Sequence, residues 1–231
     1  MKRRLVLLAL TLGIYFHGFC QVRINLFAGP QLTSAHYVVN GISQPVQSKI
    51  GLMAGIGAKV FFDNKLYFFP AVYYSLKGFK VTLNNPSFPP YELAKNNNLT
   101  VHTIEFAPLF QFDLSNKPDY WFIRIGPSVD FAFYGTEKFD TLNGSGTVKR
   151  KMVFDYTVYG HFTASANIQI GYQTASGLGV FGFYSYGLGS MNNADGGPRI
   201  LHRIGGVAVS KMFGEIHPKP HTRMPRFQYM K

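Results

Sequence analysis

Two segments of the chain alternate strictly between apolar and polar residues, and this alternation commits them to β-structure. In Trp121–Phe133 ("WFIRIGPSVDFAF") apolar side chains fall on every second position, with Arg124, Ser128 and Asp130 between them. The segment Phe162–Gln173 ("FTASANIQIGYQ") repeats the pattern with small polar residues. A period of two is the signature of a strand with one apolar and one polar face. The sequence therefore predicts strands and leaves open which face meets water.

Eight segments of this kind follow one another, and the rest of the chain has no convincing helical pattern. The predicted strands are Ile24–Thr33, Ser48–Phe62, Leu66–Lys80, Leu99–Asp113, Tyr120–Tyr134, His161–Gln173, Leu178–Leu188 and Ile200–Phe213. Short links (Asp63–Lys65, Leu114–Asp119, Thr174–Gly177) alternate with long ones (Ser34–Gln47, Val81–Asn98, Gly135–Gly160, Gly189–Arg199). Short, turn-rich links join antiparallel hairpins. The order predicts an all-β fold, an eight-stranded antiparallel up-and-down transmembrane β-barrel with periplasmic termini.

The direction of the two faces separates this barrel from a soluble, lipocalin-like one. A soluble barrel has its apolar face inside, whereas a membrane barrel turns it outward to lipid. The polar face here is mostly Gly, Ser, Thr, Asn and Gln, which suit a narrow interior, and only 15% of residues are charged, too few to cover a cylinder in water. Aromatic residues crowd at the short links, as in the girdle at a membrane interface. We expect the apolar face outward, and a soluble periplasmic binder is the alternative.

The aromatic residues expected in this girdle flank the first two short links. They are Phe61, Phe62, Tyr67, Phe68, Phe69, Phe110, Phe112, Tyr120, Trp121 and Phe122. Large and charged side chains are also expected to point inward, which would fill the interior and argue against a solute pore. These inward residues are Phe27, Met53, Phe69, Phe181, Lys49, Lys59 and Lys77.

Both ends of the chain lie outside this strand pattern. Residues 1–20 have basic residues before an apolar run, the order of a secretory signal peptide, and cleavage before Gln21 is favoured over lipidation of Cys20 because His17 and Phe19 depart from a lipoprotein signal. The barrel is assigned to residues 21–213. Residues 214–231 are basic and rich in proline, which cannot join a strand ladder, and predict a periplasmic tail.

Six motifs on the predicted strands are "SLKGFK" (Ser75–Lys80), "IEFAPLFQF" (Ile104–Phe112), "IRIGPSVDF" (Ile123–Phe131), "IQIGYQ" (Ile168–Gln173), "YSYGL" (Tyr184–Leu188) and "GGVAVSKMF" (Gly205–Phe213). Together they resemble the PorT-like outer-membrane β-barrel domain family over about the whole chain from residue 21 to Phe213. The resemblance implies an eight-stranded barrel of Gram-negative bacteria, and PorT itself is linked to protein secretion. Members commonly end at the last strand's aromatic residue, whereas this chain continues beyond Phe213.

Several polar residues are candidates for an active site of the kind found in lipid-A-modifying barrels. They are His102, Glu105, Ser128, Asp130, His161 and His202. With a symmetric link at Leu114–Asp119, Glu105 would face Ser128, diagonal to Asp130, with Arg124 two positions further down. This set could handle a proton, but a structural network that neutralises charge in the lumen is the preferred interpretation. A lipid-facing dyad of His161 and His202 is the second enzymatic possibility, against two solvated histidines at the barrel rim.

The residues predict no catalytic centre, cofactor or metal site, because no His, Cys, Asp or Glu spacing matches one. The net charge of +12 points to outer-membrane lipid and lipopolysaccharide, not to nucleic acid. Lys149, Arg150 and Lys151 are the candidate contact on the longest loop, pictured as a hairpin beyond the membrane. The functional hypothesis is a non-enzymatic scaffold whose loops make contacts, associated with secretion or envelope proteins. The alternative is a lipid-A-modifying enzyme, and the residues leave the oligomeric state undetermined.

Overall fold

The computed structural model describes residues 22–142 and 146–214. The predicted signal peptide and the predicted tail, apart from Gly214, lie outside these residues. The strands are β1 (Arg23–Val39), β2 (Ile42–Ser43), β3 (Val46–Asp63), β4 (Leu66–Thr82), β5 (Asn96–Asp113), β6 (Tyr120–Asp140), β7 (Thr147–Lys151), β8 (Phe162–Gln173), β9 (Leu178–Gly187) and β10 (Arg199–Phe213). Within the described ranges, no helix is long and apolar enough to cross a membrane.

Eight of these strands form a closed antiparallel ring, as the sequence predicts. The ring order is β1, β3, β4, β5, β6, β8, β9 and β10, and β10 pairs with β1 to close it. The closing seam runs from Ile24 opposite Phe213 to Val38 opposite Arg199. The two short strands extend hairpins, with β2 on the end of β1 and β7 on the end of β6. We call the end with the three short links the turn end and the opposite end the loop end.

The alternation of Trp121–Phe133 resolves as predicted. Trp121, Ile125 and Val129 point outward with 56%, 59% and 49% exposure, whereas Arg124 and Ser128 point inward and are fully buried. On β5, outward apolar residues run from Ile104 to Phe112. They cover about 20 Å of height, for a rise of about 3.3 Å per residue and a tilt of about 40°. This outward apolar zone, which we call the membrane band, suits a thin hydrocarbon layer.

Six of the eight ring strands extend further at the loop end than predicted, because the pattern of faces inverts there, whereas β8 and β9 are each one residue shorter at that end. β1 runs to Val39 instead of Thr33, and β6 runs to Asp140 instead of Tyr134. Beyond the membrane band, apolar side chains turn inward and polar ones outward, as in a soluble barrel. Asn40 and Gly41, both with positive φ (48° and 80°), form the tight turn into β2. An Asn-Gly pair is a strong hairpin signal, and the prediction of one long link over Ser34–Gln47 did not include this hairpin.

Two apolar clusters fill the barrel, one near each end. The cluster nearer the turn end packs Phe27, Phe69, Phe122 and Phe181. The cluster at the loop end combines strand residues with residues from the long links, among them Tyr37, Phe79, Leu99, Met152, Tyr159 and Met191. We call this loop-end cluster and the links over it the cap. Polar side chains lie between the two clusters.

The aromatic girdle at the turn end is only partly as predicted. Phe62, Phe110, Phe112 and Trp121 are exposed on the outside, with edge contact between the Phe62 and Phe110 rings at 6.0 Å. The prediction is wrong for five of its ten residues, which lie on the inner face. These are Phe61, Tyr67, Phe69, Tyr120 and Phe122. The reason is geometric, because adjacent residues of a strand cannot share a face.

Candidate functional site

One lysine holds the centre of the barrel interior. The Lys77 ammonium lies 2.8 Å from Glu105 Oε1 and 2.7 Å from Asp130 Oδ2. The Tyr73 hydroxyl donates to Glu105 Oε2 at 2.9 Å, and the Thr163 hydroxyl donates to Asp130 Oδ1. All three charged side chains are at most 4% exposed. Both carboxylates therefore share one counter-charge and have further hydrogen-bond donors.

The register across β5 and β6 differs from that of a symmetric link. Glu105 pairs with Asp130 and not with Ser128. The hairpin is set by the Leu114 amide, which donates to the Trp121 carbonyl at 2.8 Å. The predicted pairing is thus wrong by two residues. A shift of two preserves the faces, so every residue predicted inward in this hairpin still points inward.

The four predicted network residues divide into separate groups. Glu105 and Asp130 meet at Lys77, whereas Ser128 accepts a hydrogen bond from the Asn167 amide at 2.8 Å. Arg124 belongs to another layer, so its predicted place beside the carboxylates is wrong. Lys77 was predicted to point inward but was not connected with the network, because its strand, β4, pairs with β3 and β5 and not with β6.

Arg124 is buried among aromatic rings. Its guanidinium carbon lies 3.7 Å from the centre of the Phe69 ring and 4.3 Å from that of Phe122. Its Nε donates to Gln111 Oε1 at 2.7 Å, and Nη1 donates to Gln169 Oε1 at 3.2 Å. A planar cation stacked on rings is stabilised without a carboxylate partner. Arg124 therefore links the aromatic cluster to the polar layer.

A second ion pair lies towards the turn end. Lys59 donates to Asp113 and, at 3.1 Å, to the Tyr120 hydroxyl. The Gln111 amide donates to the other oxygen of Asp113 at 2.6 Å. Since Gln111 also accepts from Arg124, the side chains of Lys59, Asp113, Gln111 and Arg124 form one hydrogen-bonded chain. The chemistry of this interior is the neutralisation of buried charge.

The histidines do not form a dyad. His161 is exposed on the outside, where its ring stacks between Phe131 and Phe154 at centroid distances of 5.1 and 5.0 Å. His202 is 4% exposed and points into the barrel, so the expectation of a solvated rim histidine is wrong for this residue. The possibility of a lipid-facing pair is therefore wrong, because the two rings lie on opposite sides of the wall. His102 lies outside, where its Nδ1 and the Tyr74 hydroxyl are 2.7 Å apart.

The three basic residues Lys149, Arg150 and Lys151 lie on β7 and are divided between its faces. Lys149 pairs with Lys138, and Lys151 pairs with Thr136, on the outer face. Arg150 turns to the inner face, where Nε donates to Glu137 Oε1 at 2.6 Å and Nη2 to the Pro90 carbonyl at 2.6 Å. The predicted hairpin exists, but its middle residue holds the cap together.

Glu137 and Tyr159 are central to the cap and were missed by the sequence analysis. The Tyr159 hydroxyl donates to Glu137 Oε2 at 2.9 Å, and both residues are at most 1% exposed. Burial, together with the Glu137 carboxylate, holds the pKa of the Tyr159 phenol well above its usual value. Glu137 points inward only because the β5–β6 ladder shifts by one residue between His102 and Thr103. Such a bulge is invisible in the alternation of the sequence alone.

No group of His, Cys, Asp and Glu within residues 22–142 and 146–214 is arranged to hold a metal ion. The site features are therefore a charge-neutralised interior, an outward apolar band and a packed cap. An eight-stranded closed ring with an apolar outer wall is characteristic of the class of small outer-membrane β-barrels.

Sequence comparison specifies the family. A family model described as outer membrane protein beta-barrel domain matches residues 22–193. The chain belongs to this family and is a protein of the Gram-negative outer membrane. The match ends before β10, the strand that closes the ring. A search of curated proteins gives no match.

Solved structures with a similar shape are distant relatives at most. Ail of Yersinia pestis, in complex with the heparin analogue sucrose octasulfate, has a TM-score of 0.44 and 10% identity, covering 83% of this chain and 99% of its own. Neisserial surface protein A has a TM-score of 0.42 and 13% identity, covering 82% and 97%. The translocator domain of NalP from Neisseria meningitidis has a TM-score of 0.34 and 8% identity, covering 91% and 96%. At these values the likenesses carry no argument about this chain.

Proposed function

We propose that the protein is a non-enzymatic scaffold of the outer membrane whose cap makes contacts on the cell surface, in association with protein secretion or envelope assembly. In this orientation the loop end is extracellular and both termini are periplasmic. Export follows the Sec route, with removal of residues 1–20, and the tail lies in the periplasm. The secretion association derives from the PorT-like resemblance of the strand motifs.

The observation that carries the scaffold role is the filling of the barrel from end to end. Arg124 and Lys77 are at most 2% exposed, and the cap residues Tyr159 and Met191 are at most 1% exposed. The interior charges already have partners, so they support the wall instead of facing a substrate. A scaffold acts through the surfaces it displays, which here are the links of the cap.

Deletion of the gene in its native host tests the proposal. We expect an altered set of secreted or outer-membrane proteins, measured by mass spectrometry of culture supernatant and envelope fractions. Wild-type protein should restore the set. A variant lacking the hairpin tip, with residues 141–146 replaced by a short turn, should assemble as a barrel but fail to restore it. An unchanged protein set after deletion would contradict the proposal.

The same strains address the enzymatic alternative. A lipid-A-modifying enzyme would change the acylation or phosphorylation of lipid A, which mass spectrometry of extracted lipid reads directly. The double variant Glu105→Gln and Asp130→Asn removes both candidate interior carboxylates together. We expect unchanged lipid A in the deletion strain and in this variant. A lipid A change that depends on these carboxylates would replace the scaffold function by the enzymatic one.

A further inference from the structure

A row of polar and basic side chains crosses four adjacent strands and β7 on the outer face of the loop end. Gln47 pairs with Lys80, Lys80 with Asn98, Asn98 with Lys138, and Lys138 with Lys149. We call these five residues the lysine row. Neighbouring strands are about 4.8 Å apart, so the backbone positions of the three lysines of the row lie within roughly 15 Å of one another.

The row depends on the bulge in the β5–β6 ladder. His102 pairs with Tyr134, whereas the next residue of β5, Thr103, pairs with Ala132. The extra residue changes which positions of β6 face outward. Lys138 is exposed as a result, while Glu137 is buried in the cap. Without the bulge, an acidic residue would replace the central lysine of the row.

The amide group of Asn98, between Lys80 and Lys138, is held in a fixed orientation. Lys49, which was predicted to point inward, instead reaches the outer face, where its Nζ donates to Asn98 Oδ1 at 2.9 Å and to the Leu99 carbonyl at 2.8 Å. Since Asn98 Oδ1 accepts from Lys49, its amide NH2 group is turned to the other side as a donor. A concavity of about 320 Å³ opens here, lined by Gln47, Lys80, Asn98 and Lys138, among others.

One carboxylate, that of Asp140, lines the same concavity and already accepts hydrogen bonds. Asp140 accepts from the Asn96 amide at 2.8 Å and from the Thr147 hydroxyl at 2.5 Å. Hydrogen bonds from Asn96 and Thr147, together with the nearby positive charges of Lys138 and Lys95, lower the pKa of Asp140, so this carboxylate is charged. Within the part of the chain that the structure describes, the ion pairs involve Lys59, Lys77 and Arg150, and none involves a lysine of the row. Asp140 offsets part of the charge of Lys138, and the remaining positive charge of the row is available to an external anion.

The row lies just beyond the membrane band. On β5, Asn98 is four positions from His102, which contacts Tyr134 at a ring distance of 5.3 Å. Phe131 and Phe133 follow on the outer face with 39% and 48% exposure. Four positions correspond to about 13 Å along a strand. The row therefore lies beyond the apolar wall, on the side where the polar headgroups flank the hydrocarbon core.

We propose that the lysine row binds the phosphate groups of a phosphorylated glycolipid of the outer leaflet, whose acyl chains lie on the apolar wall below. The charge of the row is complementary to phosphate, and the amides of Gln47 and Asn98 donate to phosphate or sugar oxygens. Lys151, beside Thr136 on the same face, adds a further cation. The inference rests on the proposed orientation with the loop end outward, and it identifies the lipid partner.

Lipid A binding to the full mature chain tests the inference. The chain is folded in detergent, and bound lipid is counted by native mass spectrometry during titration with bisphosphorylated lipid A. The test variant replaces Lys80, Lys138 and Lys149 by glutamine. The charge-matched control replaces Lys65, Lys117 and Lys211, at the turn end, in the same way. A gel comparing boiled and unboiled samples shows that each variant forms the compact barrel.

We expect the wild type to bind one bisphosphorylated lipid A and the test variant to bind it about a hundredfold more weakly, at about fivefold per lysine near a membrane surface. The control should bind as the wild type does. Arginine at the three row positions should retain binding, since the charge is kept. Dephosphorylated lipid A should bind the wild type as weakly as the intact lipid binds the test variant.

Three results would overturn the inference. Equal losses of lipid A affinity in the test and control variants would show that binding depends only on the net charge of the protein. Equal binding of dephosphorylated lipid A would assign it to the acyl chains. Full competition by the soluble diphosphorylated sugar, without acyl chains, would make the site one for a soluble anion. The scaffold function has a separate readout. A test variant that binds lipid A as the wild type does refutes only the inference, whereas an unchanged protein set after gene deletion refutes only the scaffold function.

Discussion

Replacing Lys77 by methionine tests whether the barrel interior is a charge-neutralised core. The ammonium lies 2.8 Å from Glu105 and 2.7 Å from Asp130, and no other cation contacts either carboxylate within residues 22–142 and 146–214. The substitution keeps the length of the side chain but leaves two buried negative charges side by side. Loss of one partner of a buried ion pair costs about 3–5 kcal/mol. We expect a decrease of about 4 kcal/mol or more in the free energy of unfolding.

Removal of a single carboxylate should be much milder. Glu105→Gln leaves Lys77 paired with Asp130 and keeps an acceptor for the Tyr73 hydroxyl. The expected loss is about 1 kcal/mol, the usual value for a weakened hydrogen bond. The triple variant with Lys77→Met, Glu105→Gln and Asp130→Asn carries no interior charge at this layer. It should recover most of the loss caused by Lys77→Met alone.

Equilibrium unfolding in guanidinium, with the chain folded into phosphatidylcholine vesicles, measures these differences. The fluorescence of Trp121, the only tryptophan of the chain, reports the transition. A free energy of unfolding that is much lower for Lys77→Met than for Glu105→Gln, and that recovers in the triple variant, supports the conclusion that Lys77 neutralises the two carboxylates. A loss under 1 kcal/mol for Lys77→Met, or a triple variant as unstable as the single one, would refute it.

Three further perturbations test the wall, the cap and the outer face. Gly29→Ala places a Cβ 2.0 Å from a carbonyl oxygen of β10, whereas the nearest atom to the new Cβ of Gly182→Ala is 3.9 Å away. We expect Gly29→Ala to lower the free energy of unfolding by about 1–3 kcal/mol or to prevent assembly, and Gly182→Ala to change little. Equal stability of the two variants on gels and in guanidinium would contradict the close packing of β1 on β10. Arg150→Met leaves a buried carboxylate short of its counter-charge and should make chymotrypsin cleavage of the cap about tenfold faster, for a local loss of about 1.4 kcal/mol. Lys149→Gln, on the other face of the same strand, should leave cleavage unchanged, and equal rates for the two variants would refute the division of β7. Trp121 is 56% exposed on the outer face, so its fluorescence should be quenched by brominated lipid and protected from iodide. The reverse result would show that the apolar face does not contact lipid.

The residues that alternate strictly were predicted most accurately, and the places where the pattern changes were not. All eight ring strands were found, and at the turn end their limits agree within about one residue, as for Leu66 and Asp113. At the loop end the outward face becomes polar and the inward face apolar, so the alternation no longer matched a membrane strand. β6 therefore ends six residues later than predicted, at Asp140.

The candidate site was predicted only in part for a related reason. Alternation assigns Glu105, Arg124 and Asp130 to the inner face, and each is buried there. It does not assign partners across the lumen, since those depend on the register between strands and on ring closure. Lys77 reaches both carboxylates from β4, and Arg124 lies among rings instead. The separation of Arg150 from its neighbouring lysines follows from the same parity rule, once the strand β7 is recognised.

The sequence by itself determined the barrel, its strand number and the outward direction of its apolar face in the membrane band. These properties follow from local periodicity and from the lengths of the links, which need no knowledge of distant contacts. Only the tertiary structure decided how charges are paired inside, where the faces invert and which lysines share a row. A one-residue bulge between β5 and β6 exposes Lys138 and buries Glu137. Register and bulges are set by the packing of whole strands against one another, and a single residue there moves every later side chain to the other face.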